Sequence, residues 1–161
     1  MIERADRESR TTEADHLSVR LWLRMLACTS LVERQAAARL RHSFSTTLPR
    51  FDFLAQVERG GAGLRMTEIS ERMMVTGGNI TRIADQLEAE GLIARSPAPG
   101  DRRTSIVRLT PAGRRAFTRM AHDHEGWIVQ LFGVLDEAER RMLYALLAKL
   151  KGHLVAAEAK R

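Results

Sequence analysis

The sequence predicts a mainly α-helical fold with a small β-wing: a winged helix-turn-helix flanked by long N- and C-terminal dimerisation helices. Three observations lead there. Two short helical segments joined by a glycine turn occupy residues 67–90, the arrangement of a helix-turn-helix. Two strand-like runs, 92–96 and 105–110, follow at once and enclose a turn-forming loop with a basic tip at Arg102-Arg103, which makes a wing. Long helical segments with apolar stripes lie on either side, and so small a reading head does not need all of that surface for its own core.

In chain order, the first helix reads over residues 17–40. Leu17, Leu21, Met25, Cys28 and Val32 recur at spacings of 4, 4, 3 and 4, a single apolar stripe. Polar and hydroxyl residues at 41–47 break that period. A second helix carries Pro49 in its first turn, turns Phe51, Leu54, Ala55 and Val57 inward, and stops at Gly60-Gly61-Ala62-Gly63. A short extended piece, 64–66, leads to Thr67 as the N-cap of a helix over 68–74. Thr76-Gly77-Gly78-Asn79 turns into a further helix that runs to Glu90 and is closed by Gly91 at C′. After the wing, Thr110-Pro111 is an N-cap followed by proline at the first helical position. The long helix it starts bears Phe117, Met120, His124, Trp127, Ile128, Leu131 and Leu135 on its apolar side. Asp136 with Glu139 reads as a capping box for a last helix striped by Leu143, Leu146, Leu147, Leu150 and Leu154. The chain thus divides into a flexible arm (1–15), a dimerisation helix with its junction (16–47), the winged helix-turn-helix (48–110) and C-terminal dimerisation helices (111–161). Long striped helices around a reading head also predict a homodimer, because two half-sites multiply affinity.

Composition narrows the function. Of 161 residues, 44% are apolar, enough for a real core, yet no run approaches the ~18 uncharged apolar residues of a membrane span. The first fifteen residues carry three basic and five acidic side chains and lack the apolar core of a secretory signal. The expected location is the cytoplasm. The net charge is +6, and six arginines (95, 102, 103, 108, 114 and 115) stand against the single acid Asp101 between 95 and 115, which suggests a polyanionic partner. Cys28 is the only cysteine. It lies on the apolar stripe and is expected to pack there instead of sensing oxidants. His122 and His124 sit at i and i+2, unlike the i, i+4 pairs that chelate well, so no metal and no cofactor are expected. There is no phosphate loop, nucleophile elbow or metal pair to support an enzyme.

The helix over 78–90, drawn at about 100° per residue, sets Ile80, Ile83, Ala84 and Leu87 on one side. The opposite arc holds Gly78, Thr81, Arg82, Asp85 and Gln86. Arginine suits guanine, glutamine suits adenine, and threonine suits a base or phosphate. With a wing directly downstream, this arc reads as the major-groove face of a DNA-binding protein. Arg102 and Arg103 can reach an adjacent minor groove or its phosphates, while Asp101 repels phosphate and is better suited to orient a neighbouring arginine.

The run GNITRIADQLEAEGLIARSPAPGDRRTSIVRLTPAGRR, residues 78–115, resembles the MarR (multiple antibiotic resistance) family of winged-helix regulators. Its recognition-helix pattern T-R-x-x-D-x-L-E-x-x-G-L matches at residues 81–92. Its wing pattern D-R-R followed by V-x-L-T-x-x-G matches at 101–103 and 107–113, and the order of helices fits over about 17–154. The resemblance implies a dimeric repressor with interlocked terminal helices that binds an inverted-repeat operator in double-stranded DNA. Arg82, Arg102 and Arg103 occupy positions the family uses on DNA, and Thr67, Thr76, Gly78, Asn79, Thr81, Gln86 and Thr104 are expected to lie on the same DNA side. Many members release DNA when a small molecule enters a cleft beside the junction of the first two helices. Here that junction, residues 40–52, mixes basic, hydroxyl and aromatic side chains, as in members that control aromatic-acid catabolism. The expected effector is an aromatic acid or its coenzyme A thioester. Arg39, Arg41, His42 or Arg50 would meet its carboxylate or phosphates, and Trp22 and Phe51 would line an apolar wall. For each of these residues a core or solvated role fits equally well. The alternatives are a redox- or metal-sensing regulator of the same family and a ligand-free architectural DNA-binding protein.

Overall fold

The structure, a computed structural model, describes residues 17–73 and 77–159, with the backbone alone at Arg102 and Arg103. Among the described residues, six helices and three strands follow one another: α1 (Leu17–Phe44), α2 (Leu48–Arg59), β1 (Leu64–Arg65), α3 (Met66–Met73), α4 (Gly77–Ala89), β2 (Ile93–Ala98), β3 (Asp101–Leu109), α5 (Pro111–Leu131) and α6 (Glu137–Glu158). They form two units, Met1–His124 and Glu125–Arg161, and α5 contributes to both. The arm at 1–15 and Thr76 lie outside the described residues.

In the first unit, α1 runs a full turn further than the polar composition of 41–47 suggests. Arg41 and His42 are its last basic residues. The helix ends only at Ser45, whose left-handed backbone (φ 50°) still donates its N–H to the Arg41 carbonyl at 3.1 Å. Only Ala36 and Leu40 of α1 are buried. Leu17, Leu21, Trp22 and Leu26 are exposed, and so is Cys28. The expectation that Cys28 packs is therefore corrected for the single chain, whose own core begins near residue 36.

Helix α2 starts with proline in its first turn and buries Phe51, Leu54, Ala55 and Val57 as its pattern requires. It also buries Phe53 completely. The start of α3 differs from expectation. Glu68 accepts from the backbone N–H of Arg65 at 2.7 Å, which is half of a capping box centred on Arg65. Thr67 is consequently an exposed residue inside the helix, not its cap.

Helix α4 buries Ile80, Ile83, Ala84 and Leu87. Burial of each large apolar side chain contributes about 1.5–3 kcal/mol, far more than the surface hydrogen bonds of the opposite arc, so packing sets the rotation of the helix. Gly91 closes it with φ +70°. The Gly91 and Leu92 N–H groups donate to the Glu88 and Leu87 carbonyls at 2.9 Å each, a Schellman motif.

The sheet is antiparallel in the order β1-β3-β2. Leu64 lies opposite Val107, Arg95 opposite Val107 on the other side, and Ala98 opposite Asp101, with an irregularity between Pro97 and Ala98. The hairpin is thus tighter than a loop over 97–104. Only Pro99-Gly100 connects the strands, and Asp101, Arg102, Arg103 and Thr104 belong to β3. Pro97 can stand in β2 because β2 is an edge strand, where a missing ladder donor is tolerated.

Thr110 joins this sheet to α5. Its hydroxyl accepts from the Gly113 N–H at 2.9 Å, as an N-cap does, and donates to the Gly91 carbonyl at 2.6 Å. Gly113 is packed so closely that a Cβ there would lie 1.8 Å from the Leu92 carbonyl oxygen.

In the second unit, Asp136 and Glu139 form the expected capping box, each side chain accepting from the other's backbone N–H at 2.9 and 2.8 Å. No residue of α6 is buried. Ile128, Val129 and Phe132 face Leu143, Tyr144 and Leu147 across an apolar groove.

Candidate nucleic-acid interface

The residues that α4 leaves outside its core make up most of the site. Gly78, Thr81, Arg82, Asp85 and Gln86 are all exposed, and Asn79 is half-buried. The Thr81 hydroxyl donates to the Gly77 carbonyl at 3.1 Å. Arg82 donates to the Asn79 side-chain oxygen at 3.3 Å, a long bond that a base edge could replace. Thr67 stands exposed on α3. On the wing, Thr104 donates to the Asp101 carboxylate at 2.6 Å, so its hydroxyl is engaged within the strand. The side chains of Arg102 and Arg103 are outside the described residues, as is Thr76.

The arginine run from 95 to 115 divides into two kinds. Arg95 is held by α4. Its Nε donates to Glu88 at 2.8 Å, its terminal nitrogen to Asp85 at 2.5 Å, and its backbone N–H to Glu88 at 3.1 Å. These hydrogen bonds hold the Glu88 carboxyl below its ordinary pKa and raise that of Arg95 further. Arg108 donates to the Ala62 carbonyl at 2.8 Å and to Ser96 Oγ at 2.9 Å. Arg114 donates to both carboxylate oxygens of Glu58, at 2.6 and 2.8 Å. Three of the six arginines therefore serve the fold, which a count of charges along the chain does not reveal. The acceptors Ala62 and Glu58 lie 46 and 56 residues away in sequence.

The six residues expected to meet an effector are not all brought together. Trp22 is exposed (61%) on α1, about 28 Å along the helix axis from Arg41 at 1.5 Å per residue. Arg41 and His42 are exposed in the last turn, and Arg39 is half-buried one turn earlier. Arg50 and Phe51 lie together on α2. Arg50 forms an ion pair with Glu90, just beyond α4, and its buried Nε has no hydrogen-bond partner among the described residues. Phe51 is 6% exposed and stacks on Phe117 (centroids 5.7 Å apart) and against His124 (4.7 Å). Burial lowers the pKa of His124. Nearby, burial and then the charge of Glu33 raise the Asp52 carboxyl against the pull of Arg59. Two signals in the sequence could have singled out Arg50: its place in the first turn of α2, and an acid, Glu90, at the end of the next long amphipathic segment. Neither distinguishes it from its neighbours. Among the described residues, no cluster of three or more His, Cys, Asp or Glu side chains could hold a metal ion, and no helix is long and apolar enough to cross a membrane.

Comparison with known proteins agrees with this fold. The sequence model of the MarR family matches residues 46–105, from the start of α2 into β3. An HTH-type transcriptional regulator of Bacillus cereus is 33% identical over 134 residues, covering 83% of this chain and 88% of that protein. The HTH-type transcriptional regulator PecS of Dickeya dadantii is 29% identical over 132 residues, 81% and 80% of the two chains. The crystal structure of AbsC, a MarR family transcriptional regulator from Streptomyces coelicolor, superposes with a TM-score of 0.77 at 20% identity over 91% of this chain and 99% of that one. A mutant MarR from Escherichia coli complexed with operator DNA superposes with a TM-score of 0.72 at 24% identity, over 84% and 99%. These relatives are transcriptional regulators, not enzymes, and this chain belongs with them to the MarR family of winged helix-turn-helix, DNA-binding transcriptional regulators.

Proposed function

We propose that the protein is a cytoplasmic repressor that binds an inverted-repeat operator as a homodimer and is released by a small aromatic acid or its coenzyme A thioester. The observation that carries the DNA-binding mode is the rotation of α4. Its four buried side chains leave Thr81, Arg82 and Gln86 on the exposed arc, where they read major-groove base edges. The wing hairpin, with Arg102 and Arg103 on β3, reaches the adjacent backbone or minor groove. The dimer reading is supported by exposed large apolar side chains on α1 (Leu17, Leu21, Trp22) and on α6 (Leu146, Leu150, Leu154), more than a soluble monomer ordinarily leaves in water. The effector reading is supported by the exposed basic residues Arg41 and His42 at the α1–α2 junction and by Arg50, whose buried Nε has no hydrogen-bond partner among the described residues.

The test is an operator titration by fluorescence anisotropy with DNA from the promoter next to the protein's own gene, repeated with aromatic acids and their coenzyme A thioesters. Tight binding released by one compound supports the whole reading. Tight binding that no compound disturbs removes the effector and leaves the regulator. A second reading is a thiol signal at Cys28, which is exposed in the single chain but shares with Leu17 and Leu21 the α1 stripe that the proposed dimer covers. Release by peroxide in wild type and not in Cys28→Ser supports it.

A further inference from the structure

The wing and the recognition helix are separate elements of secondary structure, yet a reading head needs them at one fixed spacing. Polar contacts made by Arg95 tie the edge strand β2 to α4. Glu88 accepts from both the backbone N–H and the Nε of Arg95, at 3.1 and 2.8 Å. Asp85, one turn earlier, accepts from the terminal guanidinium nitrogen at 2.5 Å. The Arg95 side chain is about one quarter exposed, while Asp85 (58%) and Glu88 (39%) reach solvent more freely. Asp85 lies on the same exposed arc as Arg82 and Gln86. An arginine fork satisfied by two carboxylates one turn apart fixes direction as well as distance, which a lysine point charge cannot do.

We propose that Arg95 is a positioning residue for sequence recognition: by gripping Asp85 and Glu88 it sets the wing hairpin at a fixed angle to the base-reading arc of α4. The inference rests on the proposed DNA-reading face, and its test separates it from that reading. The variant Asp85→Asn/Glu88→Gln removes both acceptor charges and leaves Arg95 in place. If the three residues mattered only through charge, two fewer acids near DNA would tighten binding to every duplex. Positioning demands the opposite sign on the operator alone.

The experiment measures wild type and variant by fluorescence anisotropy on the mapped operator and on a scrambled duplex of equal length, with the melting temperature recorded for each protein. The expected result is an operator affinity weaker by about tenfold, with scrambled-duplex affinity equal or tighter. A change of the same direction and size on both duplexes, or an operator affinity at or above wild type, overturns the proposal. Should the double variant fail to fold, Arg95→Lys decides: it keeps the charge but not the fork, and operator affinity equal to wild type again overturns the proposal. A wild-type protein that binds neither duplex better than the other would sink the reading face itself, and this inference with it.

Discussion

Arg82 and Arg95 look alike in the sequence and differ in what lies within reach. Among the described residues Arg82 donates to the Asn79 side chain at 3.3 Å and remains on the exposed arc, whereas Arg95 is held by two carboxylates. Arg82→Ala is therefore expected to cost about 1–3 kcal/mol on the operator and to relax base preference at one position of each half-site. Titration against a set of singly substituted operators checks this, and an unchanged preference would move the reading face elsewhere. His124 gives a pH signature. Burial lowers its pKa from the ordinary value of 6.5, so the folded state binds a proton less readily than the unfolded chain. Its contribution to stability is present above about pH 6.5 and is lost as the pH falls through the lowered folded pKa. His124→Phe keeps a ring against Phe51 and removes the titration. The loss of melting temperature between pH 7.5 and 5.5 is expected to be smaller in that variant. An identical loss would assign the acid sensitivity to other groups.

Element boundaries were the least legible part of the chain. Pro97, Pro99 and Gly100 mark a turn, and they do mark one, but an edge strand accepts Pro97 and the turn shrinks to two residues. Thr67 is a good capping residue by type, yet Glu68 reaches back to the Arg65 N–H and moves the helix start by two positions. The apolar period of α4, by contrast, named all four of its buried residues, because helical spacing fixes which side chains share a face. Gly91 was legible as a cap for a local reason, its positive φ. The need for glycine at 113 is not local: it comes from the Leu92 carbonyl, 21 residues earlier. Gly113→Ala is expected to destabilise by about 2 kcal/mol or more, lowering the melting temperature by roughly 4–8 °C. Gly126→Ala is the control. A Cβ there meets nothing within 4 Å, and removing a glycine from a helix interior is expected to stabilise by about 0.5–1 kcal/mol. Equal behaviour of the two in thermal unfolding would refute the close approach.

For the protein as a whole, charge and apolar surface make separate predictions. Arg114 is spent on Glu58, so Arg114→Ala is expected to leave the salt dependence of DNA binding nearly unchanged, while Arg103→Ala flattens it by about one unit of slope. A log–log titration against salt compares them, and equal slopes for both variants would contradict the division of the arginines. Leu146→Glu/Leu154→Glu sets charges on the exposed apolar face of α6 and is expected to yield monomers in sedimentation, with operator affinity reduced by about tenfold or more. A dimer of undiminished affinity would remove α6 from the interface. Hydrophobic period, cap chemistry and the order of elements act over a few residues, so the winged helix-turn-helix, the inward face of α4 and the capping box at Asp136 could be read along the chain. The partners of Arg50, Arg95, Arg108 and Arg114, the tight seat of Gly113 and the exposure of Cys28 could not. Those depend on which distant backbone and carboxylate groups packing brings within hydrogen-bond reach, and a one-dimensional count of charges carries no such distances.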